Sequence, residues 1–108
     1  MTKKSKYAPK KYIIDIDGTI CTTIEGGDYY DAKPLKDRIE YFNKLYDDGN
    51  FITYWTARGS TTGINWIDLT AHQLVVWGVK HHEVKVGKPE YDVWIDDKCI
   101  NPDDLDRL

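Results

Sequence analysis

Ile13-Ile14-Asp15-Ile16-Asp17-Gly18-Thr19-Ile20 is an apolar run that ends in two carboxylates one residue apart and breaks at once into a Gly-Thr turn. With Lys11 and Tyr12 before it, the run predicts a buried strand with Asp15 and Asp17 emerging at its carboxyl end. Two acids so placed repel by roughly 1 to 4 kcal/mol at ~4 Å, a cost that a divalent cation or a transferred proton relieves. The stretch therefore calls for a metal or for acid/base chemistry.

Downstream, residues 21–33 read as a polar loop around Gly26-Gly27-Asp28. Pro34 opens a helix in which Leu35, Ile39, Phe42, Leu45 and Tyr46 recur at helical spacing while Lys36, Arg38 and Lys44 face water; Gly49 stops it. Residues 51–55 predict the second strand, ending in Thr56-Ala57-Arg58-Gly59. A second helix starts near Thr62, packs Ile64, Ile67, Ala71 and Leu74 on the sheet and stops at Gly78. Residues 84–86 predict a third strand, Gly87-Lys88-Pro89 a turn, and 91–95 a fourth strand running into Asp96-Asp97. Asn101-Pro102 caps a last helical turn. Strands alternating with amphipathic helices imply right-handed crossovers, hence an α/β, Rossmann-like three-layer sandwich with a mostly parallel central sheet.

Ligands of open parallel sheets bind beyond the carboxyl ends of the strands. Those ends, and the turns just after them, carry Asp15 and Asp17, then Thr56 and Arg58, then Lys88, then Asp96 and Asp97. Carboxylates, a hydroxyl and a lysine gathered on one rim are complementary to a cation and a phosphate.

The bulk composition narrows the function classes. A chain of 108 residues suits one domain, read as residues 11–108, after a basic and flexible tail over 1–10; Lys3, Lys4, Lys6, Lys10 and Lys11 gather at this start without any acid. A net charge of -3 argues against a general grip on nucleic acid. The sequence shows no secretory h-region and no apolar run long enough to cross a bilayer, and Cys21 and Cys99 lack metal-type spacing; reduced thiols in the cytoplasm are expected. His72, His81 and His82 have no zinc pattern and read as surface or capping residues. Asp92 reads as a structural cap, and Trp55 and Trp94 as core residues.

These motifs resemble those of the haloacid dehalogenase superfamily of phosphohydrolases over residues 11–100. Asp15-Ile16-Asp17-Gly18-Thr19 matches the first motif, Thr56 after an apolar strand the second, Lys88 in Gly-Lys-Pro the third and Ile95-Asp96-Asp97 the fourth. The resemblance implies that Asp15 is the nucleophile forming an aspartyl phosphate and that Asp17 protonates the leaving oxygen, then deprotonates water. It implies further that Thr56 and the Ala57 N–H bind phosphoryl oxygens and that Lys88 neutralises charge between nucleophile and phosphate. Mg2+ is the implied cofactor, held by the Asp15 carboxylate, the Asp17 backbone carbonyl and one acid of the last pair, Asp97 being favoured over Asp96. Arg58 reads as a bidentate contact to the phosphate or to a second anionic group.

The segments 19–50 and 59–87 are too short for a cap domain, so the site is expected to be open, with 25–30 as a partial lid. Water must then be excluded by the substrate or by a neighbouring subunit, as in a homo-oligomer. Trp66, Thr70, Gln73 and Trp77 form a second stripe on the second helix, either a contact surface or rings tucked under loops. The leading expectation is a magnesium-dependent phosphatase of a phosphorylated small molecule such as a sugar phosphate. A nucleic-acid 3'-phosphatase and an inactive phosphate-binding or regulatory protein are the alternatives. A calcium loop is excluded, because placing Gly18 at position six puts Ile13 and Ile24 at ligand positions.

Overall fold

A computed structural model describes residues 8–24 and 28–107. Three parallel strands, β1 (Lys11–Ile14), β2 (Phe51–Trp55) and β3 (Glu83–Lys85), lie side by side in chain order. Register runs from Lys11 opposite Phe51 to Ile14 opposite Tyr54, and from Thr53 opposite Glu83 to Trp55 opposite Lys85. Helix α1 (Lys36–Asp47) connects β1 to β2 and packs on β2; α2 (Ile67–Val76) connects β2 to β3 and packs on β3. The α/β, Rossmann-like class and the parallel sheet are as expected.

Successive strand residues face opposite sides, and Ile52, Thr53 and Tyr54 are all buried, so both faces of the middle strand are covered. The core joins them to Ile14, Ile16, Ile20, Ile39, Phe42, Leu74 and Val79. Ile39 and Phe42 are the buried positions of α1, each worth about 1.5–3 kcal/mol of burial. That helix ends at Gly49, whose φ of +97° is left-handed and whose N–H closes on the Tyr46 carbonyl. The expected terminal turn forms over Pro102–Arg107, with Asn101 Oδ1 accepting from the Asp103 N–H. Arg38 ties it to α1 through Asp103 at 2.8 Å instead of facing open water.

Two elements differ from expectation. α2 begins at Ile67, not near Thr62, and its buried face is Thr70, Gln73 and Leu74, while Ile64 is exposed. Gly59 explains the delay: at φ +83° a Cβ there would collide with the Ile64 carbonyl, so residues 59–66 fold back as a tight loop before the helix starts. The fourth strand over 91–95 does not form; Val93 is 73% and Ile95 93% exposed. Tyr91 packs edge-on against Trp94, Trp94 against Trp55, and both cover the Lys88 ammonium. Trp94 is therefore not a core strand residue, and Ile13 on β1 stays 70% exposed. Residues 1–7 of the basic tail, and 25–27 of the expected lid, lie outside the described residues.

Candidate active site

β1 ends at Ile14, so Asp15 is the first residue past the sheet. The turn that follows is tight: Thr19 and Ile20 N–H both donate to the Ile16 carbonyl, and Gly18 N–H to the Cys21 carbonyl. Gly18 sits at φ +82°, a left-handed position that glycine adopts without strain.

Lys88 reaches the same place from β3. Hydrogen bonds beyond the strand ends, Thr56 N–H to the Lys85 carbonyl at 3.0 Å and Lys88 N–H to the Thr56 carbonyl at 3.1 Å, hold the second and third motifs side by side. The Ser60 hydroxyl donates to the Lys88 carbonyl at 2.6 Å. Lys88 Nζ then lies 3.4 Å from Asp15 Oδ1. Burial pushes the Asp15 carboxyl above its usual range, and the Lys88 charge opposes the shift without cancelling it. Asp15 keeps 37% of its side chain exposed.

Thr56 is buried, and its hydroxyl oxygen accepts from the Arg58 N–H at 3.1 Å, which leaves the hydroxyl proton free to donate. Ala57 follows it, half-buried, in the same turn.

Arg58 is the main departure from the sequence reading. Its side chain has 0% exposure and is turned away from solvent. Nε donates to Asp17 Oδ2 and Nη2 to Asp17 Oδ1, both at 2.9 Å, while Nη1 donates to Thr70 Oγ1 at 3.2 Å and Gln73 Oε1 at 2.6 Å. Nη2 also meets Cys21 Sγ at 3.9 Å, and the Tyr29 ring covers the guanidinium at 4.7 Å. All five N–H donors of a guanidinium thus have partners within the protein, and Arg58 grips Asp17 where a contact to phosphate was expected. Burial works against the guanidinium charge and Asp17 more than restores it, so Arg58 is held even more firmly protonated than usual.

The two oxygens of Asp17 are not equivalent. Among the described residues, Oδ1 accepts from Arg58 and from the Cys21 thiol at 3.4 Å, whereas Oδ2 accepts from Arg58 alone and keeps a further lone pair. Burial, and then the Asp17 charge, push the Cys21 thiol up to about 12, so it remains a neutral donor.

The last acid pair is not brought to the rim. Asp96 and Asp97 are exposed on the stretch that leaves the sheet, and the Lys98 N–H, donating to Asp96 at 2.9 Å, holds that carboxyl below its usual range. Among the described residues no three His, Cys, Asp or Glu side chains stand close enough together to hold a metal ion. Asp15 and Asp17 supply hard oxygen donors of the kind magnesium takes, but among the described residues the expected set with Asp97 or Asp96 does not come together as a cluster.

Sequence reasoning gave no role at the site to Tyr29, to Cys21, or to Thr70 and Gln73 of the second stripe on α2. The available signal was the polar pair Thr70 and Gln73 inside an apolar helix, since buried polar groups require partners. Trp66, of the same stripe, packs against Tyr29 and Tyr30, and Trp77 against the core, so both rings are tucked in. The concavities at the start of α1 and between Tyr30 and Trp77 include none of Asp15, Thr56 and Lys88.

No protein-family model matches the chain. No curated protein matches it either. Among solved structures it is similar to the crystal structure of an MCSG target from Vibrio cholerae, with 27% identity, 92% of this chain and 89% of that chain covered, and a TM-score of 0.79. The α/β fold is thus shared over nearly the full length of both chains.

Proposed function

We propose that the chain is a phosphohydrolase that cleaves phosphate monoesters through an aspartyl phosphate on Asp15. The observation that carries the reading is the half-buried Asp15 carboxylate facing Lys88 Nζ at 3.4 Å, with Thr56 bound to Lys88 through the backbone.

In the first step an Asp15 oxygen attacks phosphorus, the bond from phosphorus to the ester oxygen breaks, and that oxygen takes a proton that Asp17 Oδ2 has accepted from solvent. In the second, a water that gives its proton back to Asp17 attacks phosphorus, releasing inorganic phosphate and restoring Asp15. Lys88, a compact cation, offsets the negative charge that builds between nucleophile and phosphoryl group. The Thr56 hydroxyl proton and the Ala57 N–H supply donors for the phosphoryl oxygens, and Arg58 orients Asp17.

The substrate class is a small phosphorylated metabolite with a ring, such as a sugar phosphate. Tyr91 and Trp94 lie 5.2 and 5.9 Å from Lys88 Nζ and keep 46% and 38% of their surface, so they offer ring faces beside the phosphate-binding ammonium. Magnesium belongs to the same reading through the hard oxygens at the end of β1, and the steps above run through the protein's own groups. Free Cys21 and Cys99 fit a reducing compartment such as the cytoplasm. Among the described residues no helix is long and apolar enough to cross a membrane.

Phosphate release from sugar phosphates and from 3'-phosphorylated oligonucleotides, each with magnesium and with chelator, tests this reading. Release from sugar phosphates that needs magnesium and is lost in Asp15→Asn is expected. A salt-sensitive preference for oligonucleotides would identify a nucleic-acid 3'-phosphatase instead. Phosphate binding without turnover would identify a regulatory protein on this fold.

A further inference from the structure

The side chain at position 73 is an amide on the buried face of α2, where an aliphatic residue would pack without needing hydrogen bonds. Burying an amide is costly unless both its ends are satisfied, and here both are. Gln73 Oε1 accepts from Arg58 Nη1 at 2.6 Å, and Gln73 Nε2 donates to the Tyr29 carbonyl at 2.7 Å. Tyr29 in turn lays its ring over the same guanidinium. Gln73 therefore joins three separate segments: α2, the 3-10 turn Tyr29–Asp31 after the first motif, and the loop after β2 that carries Arg58.

We infer that Gln73 is a positioning residue that sets, through Arg58, the direction in which Asp17 presents Oδ2. The guanidinium is planar and rigid, so fixing Nη1 on one edge fixes the Nε and Nη2 edge that grips Asp17. Thr70 Oγ1, at 3.2 Å from the same Nη1, is the longer of its two anchors. Without Gln73 the plane pivots about Thr70 and the Tyr29 turn loses its tether. Asp17 then loses one of its two simultaneous contacts, and its free lone pair no longer points at a fixed place. Displacement of a proton-transfer group acts on turnover more than on binding.

The catalytic half of this inference rests on Asp17 as the proton carrier, and the test separates the two. Gln73→Met keeps length and volume and removes both hydrogen bonds; Gln73→Glu keeps the acceptor facing Arg58 and loses the donor to the Tyr29 carbonyl, so it isolates the Arg58 contact. With a sugar phosphate as substrate, Gln73→Met is expected to lower kcat about tenfold with KM within about twofold, and Gln73→Glu to restore kcat to within about threefold of the parent. In parallel, the NMR resonance of Arg58 Nε–H reports the contact to Asp17 without any turnover; it should shift or broaden in Gln73→Met and persist in Gln73→Glu. A Gln73→Met protein that keeps the parent resonance overturns the inference whatever the kinetics, as does one that keeps the parent kcat. If the parent releases no phosphate while the resonance moves as expected, the phosphatase reading fails and the positioning role stands. Should Gln73→Met not fold, Gln73→Asn, too short to reach both partners, replaces it with the same expectations.

Discussion

Arg58 and Asp17 meet at two points, Nε on Oδ2 and Nη2 on Oδ1, each at 2.9 Å, with the guanidinium shut off from solvent and the carboxylate one-fifth exposed. This contact joins the loop after β2 to the loop after β1, so it bears on stability as well as on chemistry. Losing one partner of a pair with a buried charge costs about 3 kcal/mol. Urea denaturation of Asp17→Ala, which strands the Arg58 charge, should show a loss of that size. Arg58→Lys should lose less, because it keeps the charge while giving up the two-point geometry.

Asp15→Asn separates function from stability. Turnover should fall at least about a thousandfold, as expected when a covalent nucleophile is removed, and phosphate transferred to the protein should no longer be trapped. Stability should move the other way. The folded carboxyl titrates above its unfolded counterpart, so its contribution is present in acid and is lost as pH rises through the raised folded value. Denaturation midpoints of parent and variant should therefore converge in acid, and the parent should be the less stable of the two at neutral pH.

The rings beside Lys88 make a prediction about specificity. Trp94→Ala removes a stacking face without touching Asp15 or Asp17, so it should raise KM for a sugar phosphate several-fold, on the order of 1 kcal/mol of lost stacking. For a small acyclic phosphate ester the change should be slight. Equal effects on both substrates would remove Trp94 from the recognition surface.

The two thiols should behave oppositely toward a thiol-reactive dye. Cys99 is exposed and should react within seconds to minutes in the native protein; Cys21 is buried, raised to about 12 and bonded to Asp17, and should react only on unfolding. Its raised value makes the stability contribution of Cys21 complete below the ordinary thiol range and lost progressively as pH rises from there toward about 12. Counting modified thiols in native and denatured protein checks the assignment.

Tyr54 carries a hydroxyl that is buried and, among the described residues, has no hydrogen-bond partner, and burial pushes its titration upward. Removing such a group relieves its desolvation cost, so Tyr54→Phe should raise stability by about 1 kcal/mol in a urea melt. A loss of similar size would mean that the hydroxyl is bonded in solution.

What the sequence determined by itself is the alternation of strands and helices and the line of reactive groups at the strand ends. Hydrophobic periodicity, the Gly18 turn and the Gly49 stop act over a few residues, so Asp15 after β1, Thr56 after β2 and Lys88 after β3 can be placed without knowing what lies across the sheet. The meeting of Asp15 with Lys88 needs the tertiary structure as well, because β2 lies between β1 and β3 and the long Lys88 side chain crosses that gap. Other outcomes belonged to the tertiary structure alone. Arg58 looks like a surface cation in its own loop, and only the approach of α2 and the Tyr29 turn supplies the acceptors and the ring that draw it inward onto Asp17. The polar pair Thr70 and Gln73 has no meaning until that charge arrives. Likewise residues 91–95 have the composition of a strand, yet they form none, and Tyr91 and Trp94 make ring contacts with Lys88 and Trp55 instead. Contacts such as Arg58 with Gln73 or Trp94 with Trp55 join distant parts of the chain, and no local pattern encodes them.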